Sequence, residues 1–157
     1  MTTNIELAQQ VASRVEIESV SIRQCSFRAN FEIGHLPAEL ALSQKYSASC
    51  DASRLADDGA VIVTVSFAFA ANEPGVDDSI GEEAMQIEAD FALVYRVRAE
   101  DKIPRHCLAH FADVNGPYNA WPYWRELVSS CTGRVGLNSI TVPVFRPRKF
   151  DVENAEC

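Results

Sequence analysis

The stretch Met85-Gln86-Ile87-Glu88-Ala89-Asp90-Phe91-Ala92-Leu93-Val94-Tyr95-Arg96-Val97 decides the fold. Met85, Ile87, Ala89, Phe91, Leu93, Tyr95 and Val97 share one parity, while Gln86, Glu88, Asp90, Arg96 and then Arg98 hold much of the other. Successive side chains on a strand point to opposite faces, so this is an antiparallel strand with one buried and one wet face. Residues 61–71 repeat the pattern, with Val61, Val63, Val65, Phe67 and Phe69 in one phase and the β-branched and aromatic types that strands favour. Between these runs, residues 72–81 carry Pro74, Gly75, Asp77 and Asp78 and are expected to form an exposed acidic loop. Asp57-Asp58-Gly59 signals a turn. Residues 40–52 alternate again, Leu40, Leu42, Tyr46, Ala48 and Cys50 against Ser43, Lys45, Ser47 and Ser49.

Further towards the N-terminus the alternation changes phase. Val15 and Ile17 point one way, Val20 and Ile22 the other, and Cys25, Phe27, Phe31 and Ile33 resume the first. A shift of one residue sends an apolar set to the opposite face. Either a bulge re-aims the chain or both faces meet apolar neighbours, as at a subunit contact; Gly34 and Pro37 then end the run. Ahead of it, Ile5, Leu7, Ala8, Val11 and Ala12 recur at helical spacing over residues 4–14, with Thr3 or Asn4 as N-cap.

Beyond Pro104 the period turns helical. The spacing predicts a short helix over 105–114, broken at Asn115-Gly116-Pro117, and a second from about Asn119 with Pro122 in its first turn. Trp121, Trp124, Val128, Cys131 and Val135 form a seam suited to helix–helix contact, and Gly136 is a stop. Residues 139–145 read as extended and 151–157 as frayed. Strands grouped before helices predict an α+β domain with an antiparallel four-stranded meander and helices on one face.

The chain has 157 residues, 47% hydrophobic and 23% charged, which fits one domain. Lys plus Arg number 14 and Asp plus Glu 22, a net charge of −8. That balance opposes nucleic-acid binding, which needs basic patches to displace counterions, and favours basic partner segments. No apolar run is long enough to span a bilayer, and the first ten residues lack a basic n-region. Cys25, Cys50, Cys107, Cys131 and Cys157 are widely spaced with no C-x-x-C pair, fitting buried thiols in a reducing cytoplasm.

Few residues suggest catalysis. His106 and His110 stand four apart with Cys107 between them, yet no third metal ligand has an obvious position. G-x-S-x-G, Walker and dinucleotide patterns are absent. Cys107 and Cys131 sit at apolar helical positions and read as core. Glu82, Glu83, Glu88 and Asp90 read as a solvated face, or as a dock for a basic partner. No catalytic residue, cofactor or metal site is assigned. The better lead is exposed hydrophobicity: Phe31, Ile33, Leu36, Leu40 and Leu42 surround the Gly34–Pro37 break, where a loop should be polar. They pack under the domain or form a sticky groove.

Element order and residues together resemble the SecB family of export chaperones over about residues 15–145. Val15-Glu16-Ile17-Glu18-Ser19-Val20 through Cys25-Ser26-Phe27 resembles the family's first strand. Glu39-Leu40-Ala41-Leu42 and Leu55-Ala56-Asp57-Asp58 resemble its second strand and following turn. Trp121-Pro122-Tyr123-Trp124-Arg125-Glu126 resembles its Pro-Tyr-x-Arg-Glu helix start, continued by Thr132-Gly133-Arg134, Leu137 and Pro143.

The resemblance implies an ATP-independent chaperone that binds unfolded polypeptide in apolar grooves, non-enzymatic, cytoplasmic, and assembled as a homotetramer, a dimer of dimers. Peptide binding is expected at Phe31, Ile33, Leu36, Leu40 and Leu42, which Gly34 and Pro37 keep off the regular ladder, and subunit contacts at Val20 and Ile22, from the parity shifts, and at the seam residues Trp121, Trp124, Val128 and Cys131. Glu88 fits an acid that docks the SecA motor, whereas Gln24 and Arg28 stand where export members carry acids. A second C-terminal helix is missing or very short, and residues 1–14 form an extra helical extension ahead of the domain at 15–147, with 148–157 a flexible tail. These departures look more like SecB-like chaperones of toxin–antitoxin systems; an export-type chaperone of preproteins is the first reading, with an antitoxin-dedicated chaperone or a non-chaperone structural subunit as the alternative, and SecA and an antitoxin both stand as partners.

Overall fold

The computed structural model describes residues 1–98, 101–138 and 140–152, with Asp78 by its backbone only. Its elements are β1 (Thr2–Thr3), α1 (Asn4–Ala12), β2 (Val15–Ala29), β3 (Ala41–Asp51), α2 (Leu55–Asp58), β4 (Ala60–Pro74), β5 (Ile80–Val97), α3 (Leu108–Arg134) and β6 (Asp151–Val152). β2 to β5 form one antiparallel sheet in the order β2-β5-β4-β3. The α+β class with a four-stranded antiparallel sheet is as the alternation predicts. The meander is not: β3, β4 and β5 are joined by hairpins, but β2 lies beside β5, giving a Greek key. Residues 30–40 therefore join the two opposite edges of the sheet.

The phase changes in β2 are bulges. The register shifts between Ile17 and Ser19 and again between Ile22 and Gln24. Each extra residue restores parity, so Ile17, Val20, Ile22, Cys25 and Phe27 pair with Tyr95, Leu93, Phe91, Ala89 and Ile87 and share their face. The expected acidic loop is the tip of a longer hairpin: β4 runs on to Pro74 and β5 begins at Ile80, with a single 3₁₀ turn at Val76–Asp78 between them.

The apolar faces of β4 and β5 are covered by α3. Phe67 and Trp124 stack at 5.0 Å and 10°, Phe91 meets Phe67 edge-on at 5.8 Å, and Phe111 meets Tyr95 at 4.8 Å. The two helices expected from residues 105 onward are one. Gly116 does not break α3; a Cβ there would lie 2.7 Å from Val63 Cγ1 and 3.1 Å from Val65 Cγ2, so the glycine lets helix and sheet approach. Pro117 and Pro122 sit inside the helix, each removing one N–H donor to the preceding turn. The helix ends at Gly136 (φ +85°), with Leu137 N–H bonded to Thr132 O and Gly136 N–H to Gly133 O, a Schellman ending.

Residues 1–12 and 148–152 both join the domain. Thr3 caps α1 in a reciprocal box with Glu6, and Leu7, Ala8 and Val11 enter the core. The stretch 148–152 is pinned rather than free: Asn4 Nδ2 donates to Arg148 O at 2.8 Å, Phe150 N donates to Asn4 Oδ1 at 3.0 Å, and β1 pairs with β6. Residues 153–157 of the expected frayed tail lie outside the described residues, as does Ser139. Among the described residues no helix follows α3, and none is long and apolar enough to cross a membrane.

Candidate functional site

The sheet extends further sideways than α3 covers it. Val15 is buried at the start of β2, but the rest of its apolar row is half-buried or open, with Ile17, Ile22 and Phe27 exposed although their partners on β5 are buried. Sequence reasoning marked Val20 and Ile22 on this row and missed Ile17 and Phe27. The parity shifts were the available signal, since bulges put all of them on one face.

The link 30–40 continues this apolar surface across the end of the sheet. Asn30 anchors its start, its N–H to Ala84 O at 2.8 Å and its Nδ2 to Glu83 O at 3.2 Å. Gly34 turns at φ +84° and His35 N–H bonds to Glu32 O at 3.0 Å. Ile33 is left 97% exposed. Leu36 reaches the end of α3, its methyl carbons 3.9 Å from where a Gly136 Cβ would be. Phe31 and Leu40 are half-buried, Leu40 against the core, and Leu42 begins β3 as an exposed side chain opposite Ala71. The five residues thus divide into a link carrying Phe31, Ile33 and Leu36 and a strand start carrying Leu40 and Leu42.

The seam expected to meet another subunit is largely an intrachain contact. Trp124 is fully buried, on Phe67 and within 3.4 Å of Gln44 Oε1; Trp121 donates to Pro143 O at 2.7 Å; Val128 is fully buried. Trp124 and Val128 are covered within the same chain, and Trp121 packs against residues 143–145. Cys131 is half-buried at the helix end, its thiol pushed up by burial and then by the neighbouring Cys25.

The opposite face of the sheet is wet. Gln24, Ser26 and Arg28 pair with Asp90, Glu88 and Gln86, which gathers the three positions marked for partner docking on one surface. Gln24, Lys45, Ser66, Glu88 and Asp90 line an open trough of about 470 Å³, and Gln86 Nε2 donates to Glu88 Oε1 at 3.1 Å. Among the described residues no cluster of three His, Cys, Asp or Glu could hold a metal; His106 is exposed and His110 tilts towards Phe150 at 6.4 Å.

A four-stranded Greek-key sheet, one long helix laid on its apolar face and an apolar link across its end define the SecB-like fold. It is the fold of a Mycobacterium tuberculosis protein, the Rv1957 SecB-like chaperone solved in complex with a ChAD peptide from the Rv1956 HigA1 antitoxin. That structure matches at TM-score 0.74 and 19% identity over 91% of this chain and 98% of the other. A protein of unknown function from Streptococcus agalactiae aligns at TM-score 0.44 and 12% identity, over 82% of this chain and 96% of the other. No family model and no curated protein matches the sequence.

Proposed function

We propose that this chain is an ATP-independent chaperone that holds non-native polypeptide on its apolar surface. The observation that carries this reading is the apolar link and strand start with Ile33, Leu36 and Leu42, large apolar side chains left in water. Unfolded segments bind such a surface by apolar burial, at about 25 cal/mol per Å² before ordering costs, so affinity is built from many small contacts. Phe31 and Leu40 line the same region. The surface serves binding rather than catalysis, and the cytoplasm is its proposed compartment.

The β2 row also supports assembly into a homotetramer, with Val20 and Ile22 among the contacts, because a second copy removes apolar surface from water. The solved SecB-like chaperone of the same fold is bound to an antitoxin peptide, which favours an antitoxin as client. Gln24 and Arg28 reduce the negative charge beside Glu88, so docking of a basic SecA segment there is weak in this reading. General preproteins are the alternative clients.

The test is aggregation of a chemically unfolded client, followed by light scattering without nucleotide. Wild type should delay aggregation, and Ile33→Ser with Leu42→Ser should lose most of the delay while keeping the native melting curve. No delay by wild type contradicts the reading.

A further inference from the structure

Residues 140–149, with no helical or strand hydrogen bonding of their own, cross α3 and the edge of β3 as an extended strap. Side chains hold its backbone. Trp121 Nε1–H donates to Pro143 O at 2.7 Å, Ile140 N–H donates to Thr132 Oγ1 at 3.3 Å, and Asn4 Nδ2–H donates to Arg148 O at 2.8 Å. Thr132 can accept because its own hydroxyl hydrogen goes to Val128 O at 2.9 Å. Two side chains anchor the strap between these clamps. Val142 is buried, and the Phe145 ring lies 5.4 Å from Tyr46 and 5.1 Å from Trp121. Val144, between them, is 61% exposed, and Arg146, Arg148 and Lys149 follow in solvent.

Clamps on a peptide backbone do not discriminate sequence, whereas anchors three residues apart do. We infer that Tyr46, Trp121 and Thr132 wall a polypeptide-binding groove whose resident occupant is the chain's own strap. A client segment displaces the strap when it carries an apolar residue three positions before an aromatic one, followed by basic residues. This rests on the reading of the chain as a chaperone and names the segment class it prefers. The net charge of −8 favours the basic flank. A tethered occupant competes at an effective concentration in the millimolar range, so the strap rejects weak segments and yields to clients that also engage neighbouring apolar surface.

The test is fluorescence anisotropy with a labelled peptide copying residues 140–149 and a second peptide lacking the aromatic ring. Both are titrated against full-length wild type, Phe145→Ala and Asn4→Ala. Asn4→Ala frees the far end of the strap without touching the groove, and so serves if Phe145→Ala melts early. The expected result is at least about tenfold tighter binding of the first peptide to Phe145→Ala than to wild type. Asn4→Ala should show a smaller gain, and the ring-less peptide none. Equal affinity for all three natively melting forms overturns the groove, as does an equal gain with the ring-less peptide. If wild type delays client aggregation while peptide affinities stay equal, the groove alone falls. If wild type fails to delay aggregation while Phe145→Ala gains affinity, the chaperone reading falls and the groove stands.

Discussion

Ile22 sits directly across from Phe91 in the β2–β5 ladder, on the same face of the sheet, yet Phe91 is 1% exposed and Ile22 49%. The difference is cover. Phe91 lies beneath the aromatic layer that α3 lays on the sheet, while Ile22 is one strand further out, on the edge. Carboxylates at Ile22 and Phe27 should therefore cost the isolated fold only about 1–2 kcal/mol per site, but oppose packing against another copy. Ile22→Asp with Phe27→Asp is expected to convert a tetramer to smaller species by light scattering. An unchanged mass would move the subunit contact off this row.

Gly116 distinguishes a packing role from a breaking one. If it were merely a weak helix residue, Gly116→Ala would stabilise α3 by up to about 1 kcal/mol. The closeness of Val63 and Val65 instead predicts destabilisation of about 1–3 kcal/mol, since a methyl group must displace two branched side chains of the core. Denaturant midpoints of the two proteins decide the sign.

Thr3 joins the start of α1 to the rest of the domain. Its side chain accepts the Glu6 N–H, and the Glu6 carboxylate accepts the Thr3 backbone N–H at 2.7 Å. Thr3→Ala should cost about 1 kcal/mol. These hydrogen bonds hold the Glu6 carboxyl below its ordinary range, so the stabilisation is present above the unfolded-state value and fades as pH falls through the folded one. Thermal melts of wild type and Glu6→Gln should converge in acid.

Tyr95 carries an alkaline signature. Burial pushes its hydroxyl up to about 12, with a bond from Asn119 Nδ2 at 2.9 Å acting in the opposite direction. The unfolded chain ionises this group near 10 and the folded chain resists, so its stabilisation is intact below about 10 and is lost as pH rises towards about 12. The predicted slope from this group is about 1.4 kcal/mol per pH unit across that window. Tyr95→Phe should flatten it in urea titrations followed by circular dichroism.

The strands are legible because alternation is a local consequence of the pleat, and residues 85–97 state it plainly. Their neighbours are not legible, because an apolar face does not name its partner; the place of β2 beside β5 follows from hydrogen bonding across the whole sheet. Asn115, Gly116 and Pro117 read as a helix break for sound local reasons, and the close approach of Gly116 to Val63 and Val65 overrides them. The apolar link at Phe31–Leu42 shows in the sequence because loops are ordinarily polar. The strap's seat does not: Pro143, Pro147 and its basic residues resemble a solvated tail, and the distant side chains of Asn4, Tyr46, Trp121 and Thr132 hold it.

Methyl-labelled NMR of the full chain, titrated with a permanently unfolded client, shows whether the apolar link holds the client. Shift changes and line broadening are expected at Ile33, Leu36 and Leu42, with the core methyl groups of Val61, Val63 and Leu93 unmoved. Saturating client that leaves those three residues unchanged, or that binds only through the wet face around Glu88, would contradict the chaperone reading.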